Sequence, residues 1–69
     1  PAALSIPERR DEAARLLAAG RTGRACERLL AALQQAPEAD ASLWLEVARA
    51  LRADSRHNEA LQALEAALR

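Results

Sequence analysis

The sequence contains no Phe, Tyr, Met or Lys, and only one each of Trp, Cys, His, Ile and Val. Strands are built from β-branched and aromatic residues, so their near absence argues against a sheet; Ala and Leu, which supply most of the apolar half, are strong helix formers. The composition predicts an all-α fold. Cys26 is the single cysteine, which excludes a disulfide framework or a cysteine-based metal site within the chain. No apolar run approaches the 18 residues or so of a spanning helix, and no secretory pattern opens the chain. Ten acidic residues balance ten basic ones, so no global field draws the chain to nucleic acid or to an anionic membrane. Every basic residue is Arg. With abundant Ala and hardly any Ile or Asn, this usage suits a GC-rich coding sequence and points to a bacterial source. The chain begins at Pro1 rather than Met, which reads as a piece of a longer protein, and localisation stays open between cytoplasm and periplasm. Its 69 residues hold one small domain, because a chain of this size buries only about 60% of the surface its unfolded form exposes.

What the chain does contain is a repeat of itself. Displaced by 35 positions, Ala48, Leu51, Ala53, Arg56, Ala60, Leu64, Ala66, Ala67 and Leu68 fall on Ala13, Leu16, Ala18, Arg21, Ala25, Leu29, Ala31, Ala32 and Leu33 without a slip in register. A self-match at a fixed period of about 20 to 50 residues is the signature of a repeat architecture, a class that mostly binds other proteins. Residues 1–5 read as a leader, 6–37 as a first helical hairpin, 38–40 as a linker and 41–69 as a second hairpin.

Within the first unit, Ser5-Ile6-Pro7-Glu8 matches a capping box, with Pro7 placed where its missing N–H costs nothing. The first helix is expected to run to about Ala19, with Asp11 and Arg15 spaced to pair, and to stop at Gly20, which is free to take the left-handed conformation. Thr22 is the expected N-cap of a second helix over 24–35, which Pro37 ends. Asp40, or failing that Ser42, caps a third helix to about Ala53. A turn over 54–57 then leads into a fourth helix that starts near Asn58 and places Glu65 and Arg69 at pairing distance. Turns this short require each helix to lie antiparallel to the next. Ala13, Ala25, Ala48 and Ala60 are the small residues that would let paired backbones approach closely.

This pattern resembles the tetratricopeptide repeat, a helix-turn-helix unit of about 34 residues. In the second unit the family's pattern falls on Trp44, Val47, Ala48, Leu51, Ala60, Leu64 and Ala67; in the first it falls on Arg9, Glu12, Ala13, Leu16, Ala25, Leu29 and Ala32, with Pro37 as the closing proline. Trp44 and the Ala60/Ala67 pair are the specific part. Arg9 and Glu12 depart from it at apolar positions, where Ile6 is expected to replace some of the missing contact. The resemblance implies two helical hairpins stacked as a short right-handed α-solenoid. A 35-residue period also suggests the pentatricopeptide repeat, a reader of single-stranded RNA. Such proteins need many units and a basic groove, whereas this chain is neutral with two units, and Trp44 and Pro37 fit the tetratricopeptide pattern better.

No catalytic constellation accompanies the repeat. His57 is the one histidine and takes a turn position that the family fills with an aromatic, which favours a structural role; Cys26 falls on an inward part of the second helix, opposite Leu61 in the repeat, as a small buried hydrophobe. The carboxylates have helix-surface spacing, and no His or Cys cluster reaches three ligands. The chain is expected to be no enzyme and to need no cofactor or metal.

Binding is the expected role. In the family, the first helices of successive repeats line a concave face, which places Arg10, Ala14 and Leu17 of the first unit beside Leu45, Arg49 and Arg52 of the second. Arg forks hold carboxylates through paired hydrogen bonds, so an extended peptide with acidic groups and a small apolar anchor suits this surface; solvation of the face is the plainer use of the same arginines. The family's Lys- and Asn-based carboxylate clamp is not expected in a chain without Lys whose one Asn, Asn58, lies elsewhere. On the last helix, Leu61, Leu64 and Leu68, with Ala63 beside them, do not all fit inward, which predicts that further repeats or a second copy pack there. The alternatives to a scaffold or assembly module are a noncatalytic repeat arm that positions a partner for an enzyme, and a self-association module.

Overall fold

Two kinds of helix start alternate along the chain. In the computed structural model, which describes residues 5–36 and 40–69, four helices follow one another: α1 (Ile6–Ala18), α2 (Thr22–Gln35), α3 (Ala41–Ala53) and α4 (His57–Ala67). The leader 1–4 and the expected breaker Pro37, with Glu38 and Ala39 after it, lie outside the described residues. The helices that open each unit, α1 and α3, carry side-chain caps. Ser5 Oγ accepts from the Glu8 amide at 3.3 Å while Glu8 Oε1 accepts from the Ser5 amide at 3.2 Å, the full capping box. Asp40 Oδ1 accepts from the Leu43 amide at 3.0 Å. The helices α2 and α4 have no such cap; Arg21 and Arg56 hold their N-cap positions with nearly the same backbone angles, and neither side chain bonds a first-turn amide. Thr22 is therefore the first helical residue of α2 and not its cap, and its hydroxyl donates instead to Asp54 Oδ1 at 2.8 Å.

The reason for the missing caps is the turn that precedes them. After α1, the Arg21 amide donates to the Leu16 carbonyl at 2.8 Å and the Gly20 amide to the Leu17 carbonyl at 3.0 Å; after α3, the Arg56 amide donates to the Leu51 carbonyl at 2.8 Å and the Ser55 amide to the Arg52 carbonyl at 3.0 Å. Both are Schellman closures, in which a left-handed residue turns the chain back over the helix end. That residue is Gly20 at φ +78° in one turn and Ser55 at φ +61° in the other, one repeat apart. The 35-residue register thus extends from side chains to backbone hydrogen bonds.

Consecutive helices pack on each other: α2 sits on α1 and on α3, and α4 sits on α3. The core consists of Ala13, Ala25, Cys26, Leu29 and Ala32 from the first unit with Leu43, Val47, Ala48, Ala50, Leu51, Ala60 and Ala63 from the second. All four alanines expected at close approaches are buried. Ile6, Leu16, Leu17 and Trp44 pack against this core half-buried. Among the described residues no helix is long and apolar enough to cross a membrane. Two expected helix-surface pairs are not formed: neither Asp11 with Arg15 nor Glu65 with Arg69 is an ion pair among the described residues. The pairs that form instead run between helices, Arg28 with Glu12 and Arg10 with Glu46, apart from the local Arg56–Glu59 pair. Ala63 is buried, so it does not belong to the exposed apolar face of α4.

Burial differs between matched repeat positions. Glu8, Glu12 and Arg15 correspond to Leu43, Val47 and Ala50; the first three are exposed or half-exposed, whereas the second three are in the core. Apolar residues of α3 are buried where the matching polar residues of α1 are not. The opposite stripe behaves in reverse. Cys26 and Leu29 are each 1% exposed, while their counterparts Leu61 and Leu64 are 58% and 39% exposed. Leu43, Val47 and Ala50 of α3 thus share one buried core with Cys26 and Leu29 of α2, whereas Glu8, Glu12 and Arg15 of α1 and Leu61 and Leu64 of α4 are exposed or half-exposed.

Candidate functional site

Four of the expected binding residues come together in one groove. Arg10, Ala14 and Leu17 of α1 face Arg49 of α3 across a depression of about 190 Å³ floored by Ala13 and Leu29 and walled by Glu46. Small-molecule sites run from about 300 to 1,000 Å³, so this space suits one or two side chains of a partner. Arg10 is not available to such a partner as expected. Its Nε donates to both Glu46 oxygens at 3.2 and 2.9 Å, its Nη2 to Glu46 Oε1 at 2.6 Å, and Nη2 also to Ser42 Oγ at 2.9 Å. This forked pair, which holds the guanidinium's pKa above its ordinary value chiefly through the hydrogen bonds to Glu46, ties α1 to α3. Glu46 was not legible as a binding-face residue because its only sequence signal is a position, 36 residues from Arg10, that matters once the two helices lie side by side.

The other expected residues line a second groove. Leu45, Arg49 and Arg52 of α3 meet Ala48, Ala60 and Leu64 around a depression of about 220 Å³ between α3 and α4. Arg49 stands on the ridge that both grooves share. Leu61 and Leu64 continue this surface toward Arg52 and His57 at the start of α4. Leu68, 88% exposed, joins neither groove. Among the described residues, Arg49 and Arg52 are in no ion pair, and both side chains are exposed. Trp44 is half-buried and lines a third depression with Leu30, Val47, Leu51, Gln62, Ala63 and Ala66.

Register relates the first two grooves. Arg10, Ala13, Ala14, Leu17 and Leu29 correspond one repeat later to Leu45, Ala48, Arg49, Arg52 and Leu64, and each set lines its own groove. The difference is the far wall, which α3 supplies to the first groove through Glu46 and Arg49.

The two residues with chemistry of their own lie apart in environment. Cys26 is buried, and burial first, then the nearby Asp54, pushes its thiol pKa up, which disfavours the nucleophilic thiolate. His57 is exposed. Among the described residues no group of three or more His, Cys, Asp or Glu is placed to hold a metal ion. No family model, no curated protein and no solved structure matches the chain.

Proposed function

We propose that the chain is a protein-interaction module made of two antiparallel helical hairpins of tetratricopeptide type, stacked as a short right-handed α-solenoid, with a binding role and no reaction of its own. Support for the hairpins comes from the twin Schellman turns, which reverse the chain after α1 and α3 and leave no residues to spare before the next helix. Support for stacking comes from the stripes that change burial between matched positions.

One observation carries the binding role: among the described residues Arg49 and Arg52 stand exposed and outside any ion pair, one helical turn apart, beside grooves floored by alanine and leucine. A guanidinium that only solubilised a face would need no apolar hollow beside it. The surface suits a partner with carboxylates flanking a small apolar anchor. Selection of a displayed random-peptide library on the intact chain tests this. Enriched peptides are expected to carry acidic residues next to Ala, Val or Leu, and Arg49→Glu with Arg52→Glu is expected to weaken the selected peptide at least about tenfold in direct titration while the helical signal stays unchanged. Enrichment without acidic residues, or affinity that survives the double substitution, counts against the reading.

A further inference from the structure

The groove between α1, α2 and α3 is occupied on its far side by a known helix, and that contact serves as a template for the matching groove one repeat later. In the occupied case, α3 packs on α2, and its Leu43, Val47 and Ala50 are buried in the same core cluster as Cys26 and Leu29 of α2. Its flank then meets the rim of the first unit at two places: Glu46 bonds Arg10, and Arg49 lies beside Ala14 and Leu17. In the unoccupied case the same stripe reads Leu61/Leu64, and the rim residues matching Arg10, Ala14 and Leu17 are Leu45, Arg49 and Arg52. The cation has moved from one rim position to the other two.

From this we infer that the Leu61/Leu64 face docks an amphipathic helix of a partner protein, seated on α4 as α3 is seated on α2. That helix carries an apolar residue where α3 has Glu46, opposite Leu45, and a carboxylate where α3 has Arg49, opposite Arg49 and Arg52. Among the described residues no carboxylate lines this groove and neither guanidinium is in an ion pair, so the incoming helix supplies the partner carboxylate. A second copy of this chain arriving head to tail does not fit. Its leading stripe is Glu8, Glu12 and Arg15, and two of these positions would place carboxylates on the leucines. The inference rests on the stacked-repeat reading above and adds to it the partner's chemistry, residue by residue.

The probe is a synthetic peptide of residues 40–69 in two forms: unaltered, and carrying Glu46→Leu with Arg49→Glu. Titrated into the intact chain, the altered peptide is expected to bind at least about tenfold more tightly than the unaltered one. Arg49→Glu with Arg52→Glu in the intact chain should reverse that preference, and Leu64→Asp, at a partly exposed position that leaves the core in place, should abolish binding of both. Equal affinity for the two peptides, or no binding of either, overturns the inference. So does a concentration-dependent dimer of the chain alone that Leu64→Asp dissolves, because the face then serves a second copy. If a library-selected acidic peptide binds while neither helix peptide does, the docking inference fails and the general binding role stands.

Discussion

The first and second units of this chain share a backbone plan but invert their surfaces. Where the first places Glu8, Glu12, Arg15 and Arg28, the second places Leu43, Val47, Ala50 and Ala63; where the first buries Cys26 and Leu29, the second exposes Leu61 and Leu64. The Glu12–Arg28 ion pair occupies the positions that Val47 and Ala63 fill in the core. The first unit thus carries charge at positions where the second carries apolar residues. Arg9 belongs to the same pattern. It stands at the Trp44 position, and its Nε is buried with no hydrogen-bond partner among the described residues. Polar residues stand on the α1 stripe of the first unit where the second unit has apolar ones.

Exchanging residues across the repeat tests this inversion directly. Val47→Glu imports the first unit's charge into a position 2% exposed, and an unpaired buried charge costs about 3 to 5 kcal/mol. Because a chain of 69 residues has a total stability of about 3 to 10 kcal/mol, chemical denaturation followed by circular dichroism should find most of the folded state lost. The reverse exchange, Glu12→Val with Arg28→Ala, replaces a part-exposed surface pair and should change stability by about 1 kcal/mol or less. Similar losses for the two exchanges would remove the distinction between the charged stripe of the first unit and the buried apolar stripe of the second.

The close-approach alanines give the next effect. Ala25, fully buried between helices, should lose about 1 to 3 kcal/mol on substitution by Leu through overpacking. Its counterpart Ala60 borders both open grooves of the second unit, so Ala60→Leu can extend into them and should cost clearly less. A smaller effect is expected in the turns. Gly20→Ser forces a side chain into the left-handed region at φ +78°, and since a Cβ there meets no atom within 4 Å, the loss of about 1 kcal/mol is conformational alone. Ser55→Gly relieves the same strain at φ +61°, with a gain below that figure because Gly also loosens the unfolded chain. Matched thermal melts that move in the same direction would break the equivalence of the turns.

The smallest effect is the response to acid. Glu8, through its hydrogen bonds with Ser5, and Glu59, through its pairing with Arg56, both have pKa values lowered from 4.5. A carboxylate with a depressed folded pKa adds stability that is present above its unfolded value and lost as pH falls through the folded one. The melting temperature should therefore decline as pH drops below 4.5, and Glu8→Gln with Glu59→Gln should flatten that decline.

Helix number, the capping box at Ser5, the cap at Asp40, the turn at Gly20 and the repeat register were all legible in the sequence. Each rests on residues within one turn of each other or on a simple self-comparison, and local chemistry is sufficient for both. The start of α2 was not legible, because Thr22 looks like a cap until the preceding Schellman turn makes a cap unnecessary and Asp54 takes its hydroxyl. Nor was the pairing of Arg10, which depends on Glu46 in a different helix. That α4 exposes leucines follows from their number alone. Which stripe they form, and that the first unit buries the matching stripe under α3, was decided only in three dimensions. Sequence determined what each helix is because helix formation is settled among near neighbours; the tertiary structure decided which charges pair inside the molecule and which apolar surface is left over, because both depend on residues brought together from a repeat away.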